Sequence, residues 1–165
     1  MERARFCILA TVGPEGTDTS PRGDDGPVVT ILDDATLALP DWRGNNRADS
    51  LRNIVRDGRV SLMLMVPGAS NVVRINGTAN LTGDEALRAR FAKAGKAPRT
   101  VTVIRISKIY FQCARALVRA RLWAGEDDSA RLPTAGDLIA KATTGDLGGP
   151  AYDGEWNGRA ANTLW

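Results

Sequence analysis

The segment WRGNNRADSLRN, residues 42–53, gathers three arginines, three asparagines and one serine where the apolar spacing predicts the start of a helix. A helix N-terminus presents backbone N–H groups and the positive end of the helix dipole, so it favours an anion. Arginines at this end are locally unfavourable unless negative charge lies nearby. The segment therefore indicates a bound anion such as a phosphate. The alternative is that Arg43 and Arg47 simply solvate a surface turn, or that they pair with Asp41 and Asp49.

Polar side chains from other parts of the sequence can contribute to the same site as this segment. TSPRGDD places Arg22 between a proline and a glycine, where the constrained backbone can aim a guanidinium at a fixed target. Arg74 alternates with apolar residues along a later strand and so lies on its polar face. If the strands are neighbours, Arg22, Arg47, Ser50 and Arg74 converge on one pocket.

The composition excludes several kinds of site. The chain has no histidine, which rules out Ser-His-Asp and Cys-His nucleophiles and histidine-containing zinc sites. The two cysteines form no CxxC motif, so we expect no metal site, and we expect Cys113 to be a small buried residue. For an enzyme without histidine, the simplest arrangement is that a bound cofactor carries out the chemistry while the protein supplies binding and electrostatics.

Net charge and hydropathy limit the classes of partner that this chain can bind. A net charge of +3 and 5% aromatic residues argue against a nucleic-acid binder, which usually carries a dense basic stripe with stacking aromatics. No apolar run approaches the roughly 20 residues that span a membrane, and no signal peptide is recognisable. We therefore expect a cytoplasmic protein with a small-molecule partner.

The elements that must position these residues are mostly strands. Short β-branched or leucine-rich runs separated by turn residues predict about six strands, at 5–12, 27–32, 36–40, 59–66, 71–81 and 99–111. They leave residues 13–26 as turn and loop. The fold class expected is mainly β, a barrel of antiparallel strands with short peripheral helices.

Three helices are predicted around the sheet. The first has Asn46 as its N-cap, Asp49 in a capping box and Gly58 as its stop, and the others cover residues 83–95 and 134–145. From about residue 125 the chain is rich in glycine, proline and aspartate. We expect residues 1–125 to form the barrel, and 126–165 a helical or irregular extension packed on the same domain.

Several motifs in order give the chain a family resemblance. SPRGD, PDWRGNNR, DSLRNI, VPG, VRING, YFQCARALVRARLW and the terminal TLW resemble the FMN-binding relatives of pyridoxamine 5′-phosphate oxidase. The resemblance implies a split β-barrel that forms a homodimer and binds FMN in clefts at the subunit interface. It further implies an FMN-dependent oxidoreductase whose substrate is unknown.

The resemblance also assigns residues to the cofactor. Its phosphate and ribityl contacts fall on Arg22, on the segment Pro40, Asp41, Trp42, Arg43, Asn45, Asn46 and Arg47, and on Ser50. Within that segment, Pro40, Asp41 and Trp42 would line the isoalloxazine ring, and Arg74 and Asn76 would complete a polar wall. Arg119 and Arg121 would lie over the cleft or, alternatively, on a basic solvent face.

One departure from the family pattern bears on the substrate. Many relatives read YFHC where this chain has Gln112, and pyridoxamine phosphate oxidases proper use a C-terminal histidine that is missing here. Oxidation of vitamin B6 is therefore disfavoured. Two alternatives remain open, a deazaflavin-dependent reductase and a flavin-binding or flavin-sensing module without turnover.

Overall fold

The computed structural model describes residues 1–44, 47–113 and 115–163. Within them the barrel region is built from antiparallel strands joined mainly by short connections. The strands are β1 Phe6–Gly13, β2 Gly16–Gly23, β3 Thr30–Asp33, β4 Thr36–Asp41, β5 Arg59–Met65, β6 Asn71–Thr82 and β7 Thr100–Cys113.

These strands form one seven-stranded sheet in the order β2-β1-β5-β6-β7-β4-β3. No ladder joins the edge strands β2 and β3 among the described residues, so the sheet curves without closing, as in a split barrel. The predicted fold class is confirmed. The strand that the sequence pattern missed is β2, because its residues GTDTSPRG are polar and mostly exposed. Its edge position explains this, since an edge strand tolerates a proline and needs few apolar residues.

The core lies inside the curved sheet and follows the period-2 alternation of the strands. On β1 the side chains of Cys7 and Leu9 are buried, and on β6 Ile75 and Ala79 face the core while Thr78 is exposed. This is the division of β6 into core and polar faces that the sequence predicts. The prediction for Cys113 is wrong, because β7 carries it past the core into an exposed position.

The helices among the described residues are short. They are α1 Asp49–Arg56, α2 Glu85–Ala89, α3 Arg115–Arg119, α4 Ala135–Ala142, α5 Gly149–Gly154 and α6 Trp156–Thr163. Helix α1 stops as predicted, with Gly58 at a φ of 78° just beyond its C-cap. Its start differs from the prediction, since the N-cap is Ala48 and no side chain caps the helix. Asp49 is held by arginines instead of folding back in a capping box, and Asn46 lies outside the described residues.

Contacts along the chain divide it into two compact units, Met1–Ala124 and Gly125–Trp165. In the second unit, α4 begins with a capping box between Thr134 and Asp137. Gly136 lies so close to the carbonyl oxygen of Gly149 that a β-carbon there would be 2.4 Å from it. Among the described residues, no helix has the length and apolar character needed to cross a bilayer.

Candidate functional site

Arg22 and Asp41 join strands from opposite ends of the sheet. Arg22 lies near the end of β2 and donates from Nη1 to Oδ1 of Asp41, the last residue of β4, over 2.9 Å. Both side chains are about four-fifths buried, with 20% and 18% of their area exposed. The Nε of Arg22 is also buried and has no hydrogen-bond partner among the described residues. A buried donor without an acceptor is unfavourable, so Arg22 suits an acceptor beyond those that the described residues supply.

A cavity of about 1040 Å³ lies beside this pair. Its wall consists of residues 18–22 of β2, 41–44 after β4, 47–51 at the start of α1, and 99–100 at the start of β7. Thr100 contributes a second buried polar atom, Oγ1, that has no partner among the described residues. The volume lies at the upper end of the range of about 300–1,000 Å³ that is typical of ligand pockets.

Helix α1 is fixed against the barrel by its buried face. Ile54 packs in the main core, and Asn53 donates from Nδ2 to Oγ1 of Thr11 on β1 over 3.1 Å. Ser50 is buried one turn earlier and donates to Asp18 of β2 over 2.7 Å. These contacts direct the uncapped N-terminus of α1 toward the cavity wall.

Positive charge exceeds negative charge in this wall. Its described residues include four arginines and three carboxylates; Asp41 and Asp49 form ion pairs with arginine, whereas Asp18 accepts a hydrogen bond from the neutral hydroxyl of Ser50. Arg43 and Arg99 are exposed and form no ion pair among the described residues. The cavity wall therefore has unneutralised guanidinium groups, which suit an anionic ligand.

The arginine pairings agree only in part with the surface-pairing alternative. Arg47 precedes the N-cap, and its Nε donates to Asp49 over 3.0 Å, as in the surface-pairing alternative. Hydrogen bonds from Arg47 and then Arg52 hold the pKa of Asp49 below its usual value. Asp49 also offsets the helix dipole. The presence of Arg47 near the start of α1 therefore does not by itself indicate a bound anion. Asp41, by contrast, pairs with Arg22 rather than Arg43.

Trp42 lies between the large cavity and an adjoining one of about 150 Å³. Its indole Nε1 donates to Oδ2 of Asp24 over 3.2 Å. Pro40 is buried on β4 opposite Val101 and lines the smaller cavity, while Asp41 lines the larger. The three residues expected at a flavin ring are thus divided between two adjoining cavities.

Arg74 and Asn76 are not among the lining residues of either cavity. Arg74 donates to Oε1 of Gln112 over 3.3 Å and lies 5.2 Å from the ring centroid of Tyr110. Asn76 accepts a hydrogen bond from Ser61 on β5. Within one chain, the structure therefore brings together three of the four residues expected to converge, and leaves Arg74 apart.

Arg119 and Arg121 are exposed on α3 and the turn that follows it, and they do not line the cavities either. This segment is anchored elsewhere on the barrel. Leu117 packs beside the small cluster that contains Met65, and Trp123 donates from Nε1 to the carbonyl of Ala69 over 3.0 Å.

Sequence reasoning missed several wall residues. Asp18 lies in the segment predicted as turn and loop, and Arg99 is the first residue of a predicted strand, so neither was considered as a site residue. A usable signal was present, since Pro98-Arg99 repeats the proline-arginine pair of Pro21-Arg22 at a strand boundary. Asn45 and Asn46 lie outside the described residues.

Comparisons with known proteins agree with this architecture. The family model for pyridoxamine 5′-phosphate oxidase matches residues 1–113, up to the end of β7. HupZ of Group A Streptococcus has a TM-score of 0.54 at 18% identity, over 67% of this chain and 86% of that chain. General Stress Protein 26 of Bacillus anthracis has a TM-score of 0.52 at 15% identity, over 66% and 84%.

A third solved structure comes from Clostridium acetobutylicum, a protein related to general stress protein 26 and described as of the pyridoxinephosphate oxidase family. Its TM-score is 0.51 at 11% identity, over 67% of this chain and 80% of that chain. At these identities the solved structures establish a shared fold alone. No curated protein matches the chain. Because the family model covers the whole barrel, the chain belongs to the pyridoxamine 5′-phosphate oxidase family.

Proposed function

We propose that this chain binds FMN in the large cavity and works as an FMN-dependent oxidoreductase on a substrate still to be identified. The observation that carries the proposal is the buried Nε of Arg22, which has no acceptor among the described residues. The same wall contains Arg43 and Arg99, which form no ion pair with any described residue. Thr100 Oγ1 adds a second unused polar atom at the same wall. The residues present fit a phosphate with a polar chain and a planar ring attached.

Each group in the wall has a distinct role in this proposal. Arg22, Arg43 and Arg99 neutralise and hold the phosphate, with Arg47 and Ser50 at the helix end. Trp42 supports the planar ring. No side chain is assigned as an essential acid or base, since hydride transfer is chemistry that FMN supplies when bound.

The cleft is proposed to be completed by a second copy of the chain. Arg74, Asn76, Arg119 and Arg121 would then approach the cofactor of the partner subunit, which accounts for their distance from the cavity of their own chain. The assembly would be a homodimer with one cleft per subunit.

The phosphate assignment is tested by comparing FMN with riboflavin, which lacks the phosphate. Arg43→Ala and Arg99→Ala each remove a charge-assisted hydrogen bond of about 1.5–3 kcal/mol. Because both residues are exposed, we expect the lower end, about a tenfold loss of FMN affinity, with riboflavin affinity unchanged. Titration followed by flavin fluorescence measures both. Arg90→Ala is the matched control, because Arg90 is also an exposed arginine with no ion pair among the described residues, but it does not line the cavity.

If Arg43→Ala and Arg99→Ala weakened the binding of FMN and riboflavin equally, or weakened neither, the assignment of these residues to the phosphate would be wrong.

A second experiment separates turnover from binding alone. Anaerobic reduction of the bound FMN by NADH or NADPH, followed by reoxidation in air, is expected of an oxidoreductase. Binding without reduction would favour the flavin-sensing alternative, and tighter binding of a deazaflavin than of FMN would favour the deazaflavin-dependent reductase.

A further inference from the structure

Asp24 is a buried carboxylate beside the candidate site that the proposed phosphate contacts do not use. Only 5% of its side chain is exposed. It accepts hydrogen bonds from the backbone N–H of Gly26 over 3.0 Å, from the indole of Trp42 over 3.2 Å, and from the ammonium of Lys93. A carboxylate as buried as this is stable only when it is paired and hydrogen-bonded. Lys93 therefore supplies the countercharge that lets Asp24 hold Trp42.

Lys93 reaches this position from a separate part of the chain. It opens a two-residue turn in which the backbone N–H groups of Lys93 and Lys96 donate to each other's carbonyls, over 2.8 and 2.9 Å. The central residues Ala94 and Gly95 have φ values of 48° and 75°, the pattern of a type I′ turn. A non-glycine residue at positive φ is unfavourable, and such residues cluster where geometry matters to function.

The ammonium of Lys93 also contacts the ring that it helps to fix. Its Nζ lies 5.8 Å from the ring centroid of Trp42, within the range of a cation–π interaction, and it contacts Asp25 as well. Burial alone would lower the pKa of Lys93, but the hydrogen bonds to Asp24 and Asp25 raise it, so the side chain stays charged at neutral pH. The indole is thus held at its N–H by Asp24 and over its ring by Lys93.

We propose that Lys93, acting through Asp24, is a positioning residue that fixes the indole of Trp42 in the wall of both cavities and so sets the affinity for the planar ring of the ligand. The flavin part of this inference rests on the proposed function. The pair acts on the ring and not on the phosphate, so its removal weakens FMN and riboflavin by the same factor. This is the opposite of the pattern expected for Arg43 and Arg99.

The first test needs no ligand. Full-length protein is labelled with 5-fluorotryptophan, and Trp42→Phe assigns the resonance of Trp42 among the four tryptophans. Lys93→Met is expected to shift that resonance, because it removes the ammonium over the ring and the countercharge of Asp24. Lys93→Arg restores a cation and is expected to recover most of the original position. Arg90→Met is the matched control, since Arg90 is an exposed cation of the same segment with no ion pair among the described residues.

The second test measures FMN and riboflavin affinities of the same variants. Lys93→Met is expected to lower both by about the same factor, roughly five- to tenfold, while Arg90→Met lowers neither. A Trp42 resonance that stays unchanged in Lys93→Met overturns the proposal whether or not flavin binds, and so does a shift that leaves both affinities intact. If the resonance shifts but the unmodified protein binds neither flavin, the positioning of Trp42 stands and the proposed function fails.

Discussion

At the scale of single residues, Arg22 serves the barrel and the cavity at once. Nη1 of its guanidinium joins β2 to β4 through Asp41, and its buried Nε, which has no partner among the described residues, is the donor that we assign to the ligand. Its neighbour across the β1–β2 ladder is Cys7, which is fully buried. Burial raises the pKa of the Cys7 thiol to about 12, against a smaller opposing effect of the Arg22 charge. The cysteine next to the site is therefore an inert core residue.

The two cysteines should differ in reactivity for this reason. A thiol reagent such as DTNB at pH 8 is expected to modify one cysteine of the native protein, the exposed Cys113, and to reach Cys7 only after denaturation. Cys113→Ser should abolish the native reaction. Two reactive thiols in the folded protein would contradict the burial of Cys7.

The same thiol makes stability depend on alkaline pH. The folded pKa is raised, so the unfolded chain loses its Cys7 proton first, near pH 9, and the contribution of Cys7 falls as pH rises from about 9 towards 12. The expected slope is up to about 1.4 kcal/mol per pH unit. Urea unfolding at pH 8, 9 and 10 measures it. Cys7→Ala should flatten this dependence, and an identical slope in the variant would refute the assignment.

At the scale of elements, β6 and β7 form the longest pair of neighbouring strands, and their pairing contains an irregularity. The register between these strands shifts next to Gly77, where a β-bulge lies between Asn76 and Gly77. A β-carbon on Gly77 would lie 2.2 Å from the carbonyl oxygen of Arg105. Glycine is therefore required here by the close approach of the opposite backbone.

Gly77→Ala should accordingly destabilise the barrel by about 1–3 kcal/mol or more, since backbone cannot move as a flexible side chain can. Gly83→Ala is the control, because nothing lies within 4 Å of a β-carbon there. Thermal and urea unfolding of the two variants give the comparison. Equal stabilities would mean that the strands can separate at the bulge at little cost.

At the scale of the whole molecule, the C-terminal half of β7 exposes large apolar side chains. Ile109 and Phe111 are 50% and 78% exposed, and Val118 and Leu122 nearby are exposed as well. A cluster of large exposed apolar residues favours an interface between subunits.

We therefore predict a homodimer whose interface contains Phe111. Light scattering at micromolar concentration should give twice the mass of the chain, and Phe111→Asp should shift it toward monomer. Val55→Asp serves as control, because Val55 is 73% exposed but lies on α1. A monomer that still binds FMN would contradict the interface cleft.

The proposed dimer predicts an effect of Arg119 and Arg121 on the proposed flavin. Positive charge near the ring stabilises the reduced, anionic form, so Arg119→Ala or Arg121→Ala should lower the midpoint potential by tens of millivolts, at about 30 mV per 1.4 kcal/mol. Arg3→Ala and Arg131→Ala are controls. Four indistinguishable potentials in a spectroelectrochemical titration would place these arginines on a solvated face. Because neither residue lines the cavity of its own chain, Phe111→Asp should abolish the difference.

The sequence by itself determined those features that local pattern controls. Alternation of apolar residues predicted β1 and β4 to β7 to within a few residues, and the glycine after α1 predicted its end. The ordered motifs indicated the family that the match over residues 1–113 shows. Strand periodicity and turn chemistry are properties of neighbouring residues, and this is why they could be recognised without a structure.

Tertiary structure alone decided the partners of each side chain. Strand β2 could not be recognised locally, because its place at the sheet edge and not its composition makes it a strand. Asp41 forms its ion pair with Arg22 and not with Arg43, two residues along the chain. Arg99 and Thr100 line the cavity, while Arg74 does not. Such choices depend on which distant strands pair and in which register, and a shift of one residue would turn every side chain to the other face. The sequence therefore showed which types of residue the candidate site contains, and the fold decided how those residues are arranged.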